Sequence, residues 1–381
     1  MRVLVLNHEY PPIGGGAGNA AHYTMVELAR QGYDVRVITS SYGDLPSREN
    51  DEGVDVIRVP ALRSRPLETS SIEILSWVAS ATLRAMREAV TWKPDIIHAY
   101  FGVPAGAIGS WTKSIFGIPY LISFRGRDVH GGKGEDGPGI GVILRQVSTR
   151  VWSRADALVA NSHGLKRIAE RILPTVDVGV IPNGIDTDRF HPENSDERSN
   201  GFHVLYVGRL EPYKGVSDLI DAVSMVENSA VSLEIAGDGS MRSDLEAQTT
   251  RLGLCDRVTF SGAVERDQIP SAYRRADALC LPSIVEGMSN VVLEGLASGL
   301  PVIVTDIPGS RDLVQNGRSG IVIPPASPAS IAEAISTIST DTVVRARYAT
   351  AAREKASTMG WKQVADAYAS VYDCILRERS T

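Results

Sequence analysis

Three stretches of this sequence combine glycine with charge in ways that could hold a phosphate or a sugar. The first is Gly14-Gly15-Gly16-Ala17-Gly18-Asn19, which follows the apolar run "VLVL". Glycines there let a backbone approach a ligand closely, and a helix start offers free N–H groups to an anion. The spacing Gly16-x-Gly18-x-x-Ala21 formally fits a dinucleotide fingerprint. That fingerprint needs its first glycine in the turn directly after the strand, and an acid near the end of the second strand. Here "HEYPPIG" intervenes, and "VITSSYG" is followed by no acid until Asp44. No Gly-Lys-Ser/Thr follows either, so an ATP-type phosphate loop is excluded.

The second stretch is Gly208-Arg209-Leu210-Glu211-Pro212-Tyr213-Lys214-Gly215, immediately after the apolar run "HVLYV". Two cations bracketed by glycines in a loop opening at a strand end suit a diphosphate. The third, "PSIVEGMSNVVLEGLASGLPV", places Glu286 in a loop and Glu294 in the helix that follows, with seven residues between them. Asn290 reads as the N-cap of that helix. Two such carboxylates could serve as acid and base in glycoside chemistry, or could hold sugar hydroxyls. Glu294 could equally do no more than complement the helix dipole. Backbone amides of Gly287, Met288, Ser289 and Asn290 would face a negative group. Fixed cations with a helix N-terminus could stabilise negative charge on a diphosphate without a metal.

These loops need a scaffold, and the chain reads as one. Apolar β runs such as "RVLVLN", "PDIIHAY" and "PYLISFRG" alternate with helical patterns at Ala20–Gln31, Ile72–Val90, Ala105–Phe116, Ile140–Arg154 and Ser162–Ile172. Strands without polar alternation, separated by helices, indicate parallel sheets covered on both faces. The polar stretch Asn183 to Gly201 interrupts the pattern, which then restarts with "FHVLYVG" and runs to "SGIVIPP". We therefore expect two doubly wound α/β domains, residues 1–185 and 201–360, joined by a linker at 186–200. A cleft is expected between the carboxyl ends of their strands, where such sheets bind ligands. A helix over 361–381 is expected to return to the first domain.

The bulk composition excludes several classes. The chain has 381 residues and a formal net charge of −6, so it carries no electrostatic footprint for nucleic acid. Cys255, Cys280 and Cys374 lie far apart, which points away from a disulfide framework or zinc site and towards the cytoplasm. The N-terminus reads as a strand rather than a signal peptide, and no run is long enough to span a membrane. Residues 113–171 hold ten Lys/Arg against five Asp/Glu, an excess of 10 − 5 = +5 that could meet an anionic lipid or anionic acceptor at a membrane surface. The glycine-rich loop Gly126 to Gly141 is a candidate acceptor lid.

The combination of GGGAGN near the start, PNGID, GRLxxxKG, and E-x7-E followed by GxPV resembles glycosyltransferase family 4 over essentially the whole chain. That resemblance implies a GT-B fold, two facing Rossmann-like domains, and a retaining enzyme that moves a sugar from a nucleotide-diphosphate sugar, UDP- or GDP-linked, to a hydroxyl acceptor. It further implies that Arg209 and Lys214 bind the diphosphate, Glu294 the ribose, and Glu286 the donor sugar beside Gly287, Met288, Ser289 and Asn290. Gly15 and Gly16 would approach from the other domain. No cofactor or metal is expected. Asp186 and Asp188 resemble the metal-binding DxD of another glycosyltransferase class, but lie inside the PNGIDTDRF segment. Where the family often has His-Gly-x-Asp, this chain has Arg125-Gly126-Arg127-Asp128. Arg125 cannot act as a base, and the candidate catalytic residues are Glu286, Arg125, Asp128 and His130. A nucleotide-sugar 2-epimerase is the alternative of the same architecture, and an NAD-dependent oxidoreductase a further one.

Overall fold

In the computed structural model, residues 1–381 are described except 67–69, 127, 128, 130–139, 193–200, 266, 380 and 381. The chain divides into two units, Met1–Gly184 with Trp361–Thr381, and Ile185–Gly360.

Unit 1 is built on eight strands in the order β3-β4-β2-β1-β5-β6-β7-β8. They are β1 (Arg2–Leu6), β2 (Asp34–Ser40), β3 (Arg48–Asp51), β4 (Val54–Val59), β5 (Ile96–Tyr100), β6 (Tyr120–Phe124), β7 (Ala157–Ala160) and β8 (Gly179–Val180). All pair in parallel except β3, which runs antiparallel to β4 on the edge. The sequence reading missed β3. Its residues "REND" are polar, and an edge strand takes its backbone pairing from one neighbour without needing an apolar face.

Both faces of this sheet are covered, which is why its strands read as unbroken apolar runs. The two-residue period of β1 splits its side chains between two cores. Val3 and Val5 pack with Met25 of α1 (Gly16–Arg30) and with Tyr368 and Tyr372 of the last helix, Trp361–Glu378. Leu4 and Leu6 pack with Trp77 of α2 (Ser71–Thr91), Ile108 of α3 (Ala105–Phe116) and Trp152 of α4 (Ile140–Trp152). A further helix, α5 (His163–Ile172), precedes β8. Helix α1 starts four residues earlier than its apolar pattern suggested. Gly16 and Gly18 lie inside it, because the positive φ of Gly14 completes the turn before them.

Unit 2 carries a six-stranded all-parallel sheet in the order β11-β10-β9-β12-β13-β14. Its strands are β9 (Phe202–Val207), β10 (Val231–Ala236), β11 (Val258–Gly262), β12 (Ala278–Leu281), β13 (Val302–Thr305) and β14 (Gly320–Ile323). Helices α6 (Val216–Met225), α7 (Arg242–Arg251), α8 (Ile269–Arg275), α9 (Asn290–Ala297), α10 (Ser310–Leu313), α11 (Pro328–Thr340) and α12 (Thr342–Ser357) connect and follow them. The final helix is therefore α13, and it belongs to unit 1. Residues 186–192, placed in a linker by their polarity, belong to unit 2. Arg353 of α12 anchors them by donating to the carbonyls of Thr187 and Phe190.

In each unit strand order reverses direction beside the first strand, between β1 and β5 and between β9 and β12. Open parallel sheets bind ligands at such switch points, outside the carboxyl ends of the strands. The glycine loop follows β1, GRLEPYKG follows β9, and the Glu286 loop follows β12.

Candidate functional site

Because β9 and β12 are hydrogen-bonded neighbours, the loops that follow them emerge side by side. Several contacts tie the two loops together. The amide of Ile284 donates to the carbonyl of Tyr213 at 2.8 Å. The Lys214 ammonium donates to Oε1 of Glu286, an ion pair largely shielded from solvent. Ser283, wholly buried, donates its hydroxyl to the same oxygen at 3.3 Å, and Thr305 donates to the carbonyl of Ser283. Gly215 has φ +67°, and a Cβ there would collide with the Pro282 carbonyl oxygen. A larger residue would force the loops apart. Two residues 72 apart in sequence thus share one charge-balanced contact.

Arg209 lies in the same loop. Its guanidinium donates to the Tyr213 hydroxyl at 2.6 Å, and its own carbonyl accepts from the buried Tyr206 hydroxyl at 2.8 Å. Burial, reinforced by the Glu286 carboxylate, pushes the Tyr206 hydroxyl far above its ordinary pKa, so it stays a donor. Arg209 and Lys214 therefore project from a loop whose backbone is fixed at both ends.

Glu294 lies on α9, whose preceding residue Ser289 occupies the N-cap position without a side-chain bond. This corrects the sequence expectation that Asn290 caps the helix; Asn290 is its first helical residue. Oε2 of Glu294 accepts from the Tyr273 hydroxyl of α8 at 2.8 Å. Tyr273 is fully buried, and burial together with the Glu294 charge raises its pKa well above the ordinary value. A permanently protonated phenol thus orients the Glu294 carboxylate. Gly287, Met288, Ser289 and Asn290 form the turn entering α9.

In unit 1 the glycine loop differs from the expectation in one respect. Glu9, three residues past the end of β1, accepts the Gly15 amide on Oε2 at 3.2 Å, and its own amide donates to Asn7 Oδ1 at 3.1 Å. A carboxylate therefore already faces the helix start that the sequence reading offered to an anion. Gly14 needs its φ of +86°, and a Cβ there would collide with the Glu9 side chain. Gly15 is exposed with open space around it, and no packing constraint demands glycine there. Gly16 beside it is also exposed. Next to Glu9, His8 is buried against Phe101 and Trp77, and burial lowers its pKa.

Arg125 closes the carboxyl end of β6. Its guanidinium lies over the Tyr100 ring at 4.5 Å, donates to Asn183 Oδ1 at 2.8 Å and to the Tyr368 hydroxyl at 3.2 Å. Behind it runs a buried chain: Tyr368 shares a hydrogen with Ser123 at 2.6 Å, Ser123 with His98 at 3.0 Å, and His98 with Tyr372 at 2.7 Å. Burial, with a smaller contribution from the Arg125 charge, drives His98 well below its ordinary pKa, so it is neutral. Asp128 and His130 lie outside the described residues, as does most of the Gly126–Gly141 loop. Asp186 spends its Oδ1 on the amides of Asp188 and Arg189, both at 3.0 Å, which is the turn chemistry of an aspartate.

Sequence reasoning missed Tyr273, Tyr368, Asn183, Ser283 and Glu9 as partners of the expected site residues. Glu9, Asn183 and Ser283 stood inside quoted motifs. Tyr273 and Tyr368 have no local signal, since each reaches its partner only through the tertiary structure.

Two family models match the chain, "Glycosyl transferase 4-like domain" over residues 15–184 and "Glycosyl transferases group 1" over 187–355. An uncharacterised glycosyltransferase of Methanocaldococcus jannaschii is 31% identical, with 90% of each chain covered. The chain belongs to glycosyltransferase family 4. The glycogen synthase of Mycobacterium tuberculosis is 29% identical to this transferase, covering 98% of its chain and 94% of the relative's. The solved structure of sucrose-phosphate synthase from Thermosynechococcus elongatus matches the fold with a TM-score of 0.88 at 20% identity, over 99% and 100% of the two chains. The enzyme is a GT-B glycosyltransferase using a nucleotide sugar. The epimerase reading finds no support in these relatives, and none of them bears the name of an oxidoreductase.

Proposed function

We propose that this glycosyltransferase retains anomeric configuration and moves a hexosyl group from a UDP- or GDP-sugar to a hydroxyl acceptor without a metal. The observation that carries the reading is the Lys214–Glu286 ion pair, which brings the two donor-type motifs together at the switch point of unit 2. Lys214 and Arg209 hold the diphosphate, and the amides from Gly287 to Asn290 at the start of α9 add partial positive charge. Glu294, oriented by Tyr273, accepts hydrogen bonds from the ribose hydroxyls. Glu286 accepts from the donor sugar once the diphosphate competes for Lys214.

In the transfer step the bond between the anomeric carbon and the diphosphate oxygen breaks, and its electron pair leaves with the diphosphate. The acceptor oxygen bonds the same face of the sugar, and its proton passes to the departing diphosphate oxygen. No side chain needs to act as base, which fits an arginine at position 125. In unit 1, Glu9 makes the glycine loop better suited to a neutral sugar than to the diphosphate. Gly15 and Gly16 leave room for that sugar.

The experiment is donor turnover by Lys214→Ala and Glu286→Ala beside the unchanged enzyme, with UDP-, GDP- and ADP-sugars. Each variant should lose about 100-fold or more in kcat/KM, the scale for removing one charge-stabilising group, while the melting temperature stays within a few degrees. Turnover should persist in EDTA. Near-normal turnover in either variant overturns the assignment of the site, and abolition by EDTA overturns the metal-free reading.

A further inference from the structure

Helix α2 is apolar on two opposite faces. One face buries Trp77, Ala81, Ala85 and Ala89 against the sheet. The other carries Ile72, Leu75, Ala79, Leu83, Met86 and Val90, spaced by three, four, four, three and four residues. At 100° per residue these six fall within about 80° of one another, on the side facing away from the sheet. Ile72 is 69% exposed, Leu75 68% and Leu83 73%. Helix α3 packs against α2, and α4 against α3. Their outer sides add Trp111 (47% exposed), Ile115 (60%) and Val147. Contiguous exposed apolar surface of this kind marks an interaction site.

Charge identifies the partner. The exposed ionic side chains described on α2, α3 and α4 are Arg87, Arg145 and Arg150. The carboxylates on these helices are Glu73 and Glu88, both buried. Glu73 is taken by Ser64 and Ser70, and Glu88 by Arg36 and Arg84. A face whose described residues are apolar side chains and three arginines, with no exposed carboxylate among them, stands on a protein whose net charge is −6. A second copy docked on it through a two-fold axis would set arginine against arginine with no acid to pair. An anionic bilayer supplies both the apolar layer and the negative charge.

We propose that the outer face of α2, α3 and α4 docks this enzyme on anionic lipid membranes. It goes beyond the local charge excess of residues 113–171, because most of the exposed apolar surface lies on α2. It rests on unit 1 alone, so it stands or falls separately from the donor site.

The test is co-sedimentation of the whole enzyme with vesicles of pure phosphatidylcholine and with vesicles in which roughly two-fifths of the lipid is phosphatidylglycerol, enough for a strong negative surface potential. Binding should be at least about tenfold stronger to the anionic vesicles and should weaken as salt is raised. Leu83→Ser with Ile115→Ser, and separately Arg87→Glu with Arg145→Glu, should each cut that binding at least about fivefold. Both double variants should keep the parent's melting temperature and its rate of donor hydrolysis in solution. Absent or equal binding to the two vesicle types overturns the proposal. So does a self-associated enzyme, seen by sedimentation velocity, that these variants return to monomer. Loss of donor hydrolysis in Lys214→Ala with vesicle binding intact would test the catalytic reading without touching this one.

Discussion

Gly14 and Gly15 are adjacent, identical in type, and under opposite constraints. Gly14 is held at positive φ with Glu9 where a Cβ would go, whereas Gly15 faces open space. Gly14→Ala should therefore destabilise the fold by about 1 to 3 kcal/mol, the scale of backbone strain with a clash. Gly15→Val should leave the melting temperature within a few degrees and lower donor turnover. Thermal melts and donor kinetics on the two variants check this, and a Gly15→Val enzyme that is unstable but catalytically normal would contradict it. Arg125 makes a related point. It stands where the family motif often has histidine, and its guanidinium bonds Asn183 and Tyr368 while stacking on Tyr100. A histidine could not satisfy all three contacts, which is one physical reason for arginine here.

Among the elements, α2 has the most explicit local signals. Ser70 and Glu73 form a reciprocal capping box, with Glu73 also accepting from Ser64. These hydrogen bonds hold the Glu73 carboxyl at about 2, below its ordinary 4.5. A depressed folded-state pKa stabilises the fold above the ordinary value and loses that contribution as pH falls towards about 2. The melting temperature should therefore drop between about pH 5 and pH 2.5, and Glu73→Gln should flatten part of that drop while lowering stability near pH 7. An identical slope in parent and variant would remove Glu73 from the account. Ser70→Ala should cost about 1 kcal/mol at neutral pH. The sequence reading began this helix at Ile72 and made no use of the cap, although Ser-x-x-Glu is a local signal for one. The starts of α1 and α9 carry no such signal, since glycine and a loop-entering serine set them without a side-chain cap.

For the molecule as a whole, α13 is the element whose role depends most on distance in sequence. It belongs with residues from which it is separated by all of unit 2, and buries Val364, Ala365, Tyr368, Tyr372 and Ile375 in the unit 1 core. Ending the chain at Gly360 removes these side chains and leaves His98, Ser123 and Arg125 without their tyrosine partners. Such a truncated protein should be insoluble or melt without a cooperative unit 1 transition, measured by calorimetry. A cooperative two-transition melt would show that α13 is dispensable.

What the sequence by itself determined is what short-range periodicity and spacing encode. Unbroken apolar strands separated by helices required parallel sheets covered on both faces, and GRLEPYKG, E-x7-E and PNGID carried the family. The tertiary structure alone decided which side chains meet. Lys214 reaches Glu286 because β12 is inserted beside β9, Glu294 is oriented by a tyrosine from another helix, and Arg125 is held by the last helix of the chain. Strand order and helix packing set those pairs, and neither has a period that a linear sequence displays. The lipid-facing surface joins the two levels. The stripe on α2 is written in the sequence at three- and four-residue spacing, but an apolar stripe is ordinarily core. Only the packing of the opposite face against the sheet shows that this stripe points outward.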